Sequence, residues 1–83
     1  MAIFNISQHV VEGGRPRIEE MVAWLTENVG HYYGRGDEDV IHVGSGWEIR
    51  YLRDIDWEEN YVTEWIVDIT DDAKSMMFTL IWL

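Results

Sequence analysis

Apolar and polar positions alternate along residues 2–11, AIFNISQHVV, where Phe4, Ile6 and Val10 stand at even positions and Asn5, Ser7 and His9 at odd ones. That period of two predicts a strand. Glu12, Gly13, Gly14 and Arg15 follow as a turn, and Pro16 suits a first helical position, where its missing N–H leaves nothing unpaired. The pattern then changes period: Ile18, Met21, Val22, Leu25 and Val29 recur at spacings of three and four, with Glu19 and Glu20 near the positive end and Gly30 as the stop. This predicts a helix from about Pro16. The stretch 31–39, HYYGRGDED, reads as an exposed loop. Val40–Val43 is a short strand, Gly44-Ser45-Gly46 a hairpin connection, and WEIRYLR sets Trp47, Ile49 and Tyr51 opposite Glu48, Arg50 and Leu52. Beyond the acidic connector DIDWEEN, residues 61–69 form a long strand with Tyr61, Thr63, Trp65, Val67 and Ile69 on one side. Thr70 or Asp71 can cap a single helical turn through Met76 or Met77, after which Phe78–Leu83 has strand-favouring residues and no polar face. A strand is predicted there, with a helix from Asp72 to Leu83 as the alternative.

These elements give an α+β fold in the order β-α-β-β-β, an antiparallel β-sheet with one α-helix packed on one face, in two layers. The helix stripe of Ile18, Val22, Leu25 and Val29 is expected to meet Trp47, Ile49, Tyr51, Trp65, Val67 and Ile69. A chain of 83 residues is the size of a single domain. So small a core needs large side chains, and five Trp, four Tyr and two Phe supply them. The same aromatic content argues against a disordered chain.

Cysteine is absent, which removes disulfides, thiolate metal sites and a cysteine nucleophile. No signal sequence or membrane span is legible, so a cytoplasmic setting is expected. The net charge of -10 repels phosphate backbones and anionic bilayers, leaving direct nucleic-acid binding and membrane binding disfavoured.

That charge is concentrated in the middle of the chain, where residues 37–72 hold twelve of the sixteen acids. The densest runs fall in predicted loops and element ends: Asp37, Glu38 and Asp39; Asp54, Asp56, Glu58 and Glu59; Asp71 and Asp72. With Trp57, an aromatic in the connector, they are the candidate partner-binding residues. A basic protein surface is the partner such a patch fits; a merely solubilising surface is the simpler alternative. Asp54, Asp56 and Glu58 alternate like calcium ligands, but Glu59 stands where the sharp-turn Gly belongs and Trp65 where the closing acid belongs, so no metal is expected. His9, His31 and His42 lack ligand spacing, and Ser7, Ser45 and Ser75 lack a nucleophile context, so neither catalytic nor cofactor-binding residues are assigned. Met76 and Met77 beside Phe78 read as core filling.

Residues 65–82, WIVDITDDAKSMMFTLIW, resemble the ending of many small uncharacterised proteins of tailed bacteriophages. The shared pattern is a strand, an Asp-rich turn, Ala, an apolar pair and Phe-x-Leu-x-Trp; Ile81 departs from it, standing where a basic residue is common. The resemblance implies a phage origin, where small acidic early proteins block host defence or transcription machinery. It carries no site residues. The expectation is therefore a non-enzymatic acidic inhibitor, a nucleic-acid mimic binding a basic host protein. The alternative is a small structural or assembly module acting through self-association, and the two part on oligomeric state, monomer or homodimer: the module should associate through its sheet edge or apolar face, whereas a mimic can remain monomeric.

Overall fold

A computed structural model describes residues 2–37, 39–55 and 61–83, with the element order β1 (Ala2–Asn5), α1 (Ser7–Asn28), β2 (Tyr32–Gly34), β3 (Val40–Gly44), β4 (Trp47–Ile55), β5 (Tyr61–Ile69) and α2 (Asp72–Trp82). The five strands form one open antiparallel sheet in the order β1-β5-β4-β3-β2. The fold is α+β, as the pattern predicts, but a second helix stands where the strand 78–83 is expected, and an additional strand, β2, precedes β3, so the order is not the expected β-α-β-β-β with a single helix.

β5 occupies its predicted span, and β4 runs two residues past the WEIRYLR segment. Their pairing brings Trp47 opposite Ile69, Ile49 opposite Val67 and Tyr51 opposite Trp65, so the apolar side of each strand lands on one face. Ile18, Met21, Leu25 and Val29 of α1 and its C-cap close over that face and, with Trp47, Ile49, Val67, Ile69 and Phe78, form the buried core. Val22 and Trp65 pack at its margin, half-buried.

The first predicted strand ends early. Ile6 donates its N–H to the Trp65 carbonyl at 2.8 Å, and Asn5 Oδ1 accepts from the Ser7 N–H at 2.9 Å, turning the chain into α1. Ile6 and Val10, read as one side of a strand, are also four apart, and the Val10 N–H bonds the Ile6 carbonyl at 3.2 Å. A spacing of four satisfies both periods. The predicted turn at residues 12–15 survives as a kink inside α1, where Gly14 has φ 61° and ψ -154°. Pro16 lies just after it, where its absent N–H and its ring disfavour an unbroken helix from the preceding turn.

Residues 32–34 of the expected loop are the edge strand β2, with Tyr32 turned in against Trp47 and Tyr33 exposed. Three residues are too few for periodicity to register. Gly30 ends the helical region as expected, but close packing also explains why it is glycine: a Cβ there would overlap the Ser45 carbonyl. Its own carbonyl accepts from Trp47 Nε1 at 2.8 Å, fixing the α1 corner to the β3–β4 hairpin. We expect Gly30→Ala to cost about 1–3 kcal/mol, since backbone must separate from backbone. Urea melts measure it, and a loss below about 0.5 kcal/mol would show that the corner relaxes freely.

The largest departure is at the C-terminus, where the predicted strand 78–83 is the second half of α2, the helical alternative. Asp71 caps it, Oδ1 accepting from the Lys74 N–H at 3.0 Å. Lys74 Nζ in turn donates to the Val29 carbonyl at 2.9 Å, placing a positive charge at the negative end of α1 and tying the two helices together. β1 already pairs with the outer side of β5, and β3 flanks β4 on the other, so the edge beside β5 is filled before the chain reaches Phe78.

Candidate interaction surfaces and an apolar cavity

α2 presents two unlike sides. Phe78 is fully buried, its ring 5.1 Å from Phe4, 5.9 Å from Trp24 and 6.4 Å from Trp82 between centroids. The opposite side is apolar and open: Met76 is 67% exposed, Leu80 84%, Ile81 58% and Leu83 61%, with Met77 beside them. Both methionines, read from the sequence as core filling, thus lie at the surface. Positions 76, 80 and 83, with 77 and 81 alongside, follow helical spacing, and no charged residue follows Lys74. A helix apolar on both sides fits a buried position, whereas α2 is covered on one side only. That spacing was legible in the sequence once the helical alternative was adopted.

The acidic candidates do not form one patch. Asp37 and Asp39 are exposed beside the outer part of β4, with the Asp39 carbonyl accepting from the Tyr51 N–H at 2.8 Å. Asp54 lies further along β4, opposite Val62. Asp71 and Asp72 are at the other end of the sheet, where the Thr70 N–H bonds the Gly46 carbonyl at 2.9 Å. From Gly46 to Tyr51 the strand rises about 17 Å, so the two groups are well separated. Asp71 also serves as the α2 cap. Glu38, Asp56, Trp57, Glu58 and Glu59 lie outside the described residues.

A further acidic pair, missed because it falls within strands, occupies the sheet face away from the helices. Glu48 and Asp68 stand directly opposite each other on β4 and β5, an unfavourable like-charge pairing. Arg50 Nε donates to Glu48 at 2.6 Å, while Asp68 Oδ1 is buried with no hydrogen-bond partner among the described residues. Strand alternation placed these acids on the polar side from the outset.

On the helix side, a cavity of about 520 Å³ opens between the kinked α1 and the sheet. Its apolar walls are Val10, Ile18, Ile41 and Trp65. Tyr32 Oη and His42 Nδ1 lie 2.8 Å apart on the same lining, and burial, followed by the charge of Arg35, lowers the His42 pKa from its ordinary value. A register shift between Val40 and His42 brings both Ile41 and His42 to this cavity.

Among the described residues, no group of three or more His, Asp or Glu stands together as a metal site, and no helix is long and apolar enough to cross a membrane. No protein-family model, curated protein or solved structure matches this chain.

Proposed function

We propose that the protein is a non-enzymatic interaction module that pairs with a second copy of itself through α2. The observation that carries this reading is the uncharged, exposed face of Met76, Met77, Leu80, Ile81 and Leu83. From their fractional exposures these residues leave about 600 Å² open per copy, so a symmetric pair covers roughly 1,200 Å², the lower end of the range for stable interfaces. A two-fold interface sets a surface against itself, and the uncharged side chains of this face can pack against their copies without adding like-charge pairs of their own in a chain of net charge -10. The two methionines, unbranched and flexible, adapt readily to such packing.

A second reading, the phage-encoded acidic inhibitor, draws support from the open sheet face, where a basic side chain from a host nucleic-acid-binding protein would partner Asp68 and offset Glu48. Asp37 and Asp39 would extend that contact toward the outer end of β4.

Salt separates the two readings. Apolar pairing of like-charged copies should hold or tighten as salt rises, whereas binding to a basic protein should weaken, because the Debye length falls from ~10 Å at 0.1 M to ~3 Å at 1 M. Sedimentation equilibrium at both salt concentrations is expected to show a homodimer at micromolar protein. A monomer at every concentration and salt would remove the self-association reading and leave the acidic surface as the basis for function.

A further inference from the structure

We infer that the cavity beneath the kink of α1 binds a small amphipathic organic anion, a carboxylate carrying a compact apolar body. Two irregularities flank it. The Gly14 kink separates Val10 from Arg15, Ile18 and Glu19, yet residues from both arms line the space. Across from them, the irregular register of β3 contributes two consecutive side chains, Ile41 and His42, to the same lining. Kinks and bulges re-aim side chains, and here both re-aim them around one opening.

Its volume of about 520 Å³ falls within the range of small-molecule sites, which are mostly apolar with a few placed polar groups. Val10, Ile18, Ile41 and Trp65 would hold the apolar body of the ligand. The polar groups select the sign of its charge. Arg15 and Arg35 both line the cavity, two of the six basic residues in a chain of net charge -10, and among the described residues Glu19 is the one acid on that lining. Arg15 is paired with Glu19 at 3.2 Å, while Arg35 makes no ion pair with another described residue. An arginine fork matches a carboxylate in two parallel hydrogen bonds. His42 Nδ1 lies 2.8 Å from Tyr32 Oη, and burial, followed by the charge of Arg35, lowers the His42 pKa, which favours the uncharged ring and sets two hydrogen-bonding groups beside the arginines. A cationic ligand would face both arginines.

The site is separate from the α2 face, so it stands or falls independently of self-association. The experiment is a titration of isotope-labelled protein with phenylbutyrate and, separately, with the uncharged phenylbutanol, followed by NMR. Saturable shifts are expected at Ile18, Ile41, His42 and the Trp65 indole, with phenylbutanol binding about tenfold more weakly. Arg35→Gln, a change at an exposed position, should bring phenylbutyrate down to the level of the alcohol while leaving the melting curve in place. The inference is overturned if these four residues show no saturable shift at millimolar probe, or if shifts are confined to Met76, Leu80 and Ile81. It is overturned equally if acid and alcohol bind alike, or if Arg35→Gln leaves phenylbutyrate binding unchanged.

Discussion

Phe78→Ala is expected to destabilise the protein by about 3–5 kcal/mol, the range for an aromatic removed from a packed core. Phe78 is fully buried and lies between Phe4 of β1, Trp24 of α1 and Trp82 of its own helix. Removing its ring therefore opens a void where the edge strand and both helices meet. A domain of this size has a total stability of only about 4–12 kcal/mol, so the loss is a large share of the whole. In urea the midpoint should fall steeply, and the variant should melt more than about 12 °C below the parent. A change under about 1 kcal/mol would mean that α2 is docked too loosely to stabilise the sheet, and its assignment as part of the core would have to be given up.

The companion substitution on the other side of the same helix should do the reverse. Met76→Glu with Leu80→Glu is expected to leave the monomer's stability within about 0.5 kcal/mol, since both side chains are largely exposed and Glu is a good helix former. Self-association, in contrast, should weaken by about a hundredfold or more. Each copy loses two apolar contacts worth about 1.5–3 kcal/mol apiece when fully covered, and a two-fold interface then confronts four carboxylates within one apolar contact. Sedimentation of the double variant against the parent measures the loss, and circular dichroism checks that α2 is retained. Undiminished pairing would show that any dimer uses a different surface, with the sheet edge at β2 the next place to look.

Together the two variants make α2 a test of both stability and association, because residues two positions apart have unrelated expected effects. Phe78 and Leu80 are both large and apolar, and composition does not distinguish them. Only the rotation of the helix against β5 sends the first to 0% exposure and the second to 84%.

Much of the fold was nevertheless legible along the chain. The period of two in residues 61–69 and the alternation Trp47, Ile49, Tyr51 determined which sides of β5 and β4 face the core, because a strand with one apolar side has one register that buries it. The stripe of Ile18, Val22, Leu25 and Val29 gave the buried side of α1 to within one position: Ile18, Leu25 and Val29 are buried, while Met21 takes the core place expected of Val22, which is half-buried. Elements failed to announce themselves where two periods coincide or where the segment is short. Ile6 and Val10 are compatible with a strand and with a helix, and the Ile6–Trp65 backbone bond with the Asn5 turn decides between them. Phe78–Leu83 is apolar on all sides, so neither period is favoured; the Asp71 cap, the Lys74 bond to Val29 and a β5 edge already paired with β1 make it a helix.

The candidate surfaces divide in the same way. Total charge and its concentration in residues 37–72 are properties of the sequence alone, since a formal charge needs no fold. Whether those charges act together is a property of distance, and the sheet sends Asp37 and Asp39 toward one end while assigning Asp71 to a helix cap at the other. The Glu48–Asp68 pair arises from β4–β5 register, across twenty residues of chain. The cavity is the extreme case: Val10, Ile18, Tyr32, Ile41 and Trp65 share no motif or spacing, and only a kink at Gly14 and a register shift in β3 bring them around one space. Local periodicity reports which side of an element is apolar; the meeting of sides from different elements depends on long-range pairing, which no local pattern encodes.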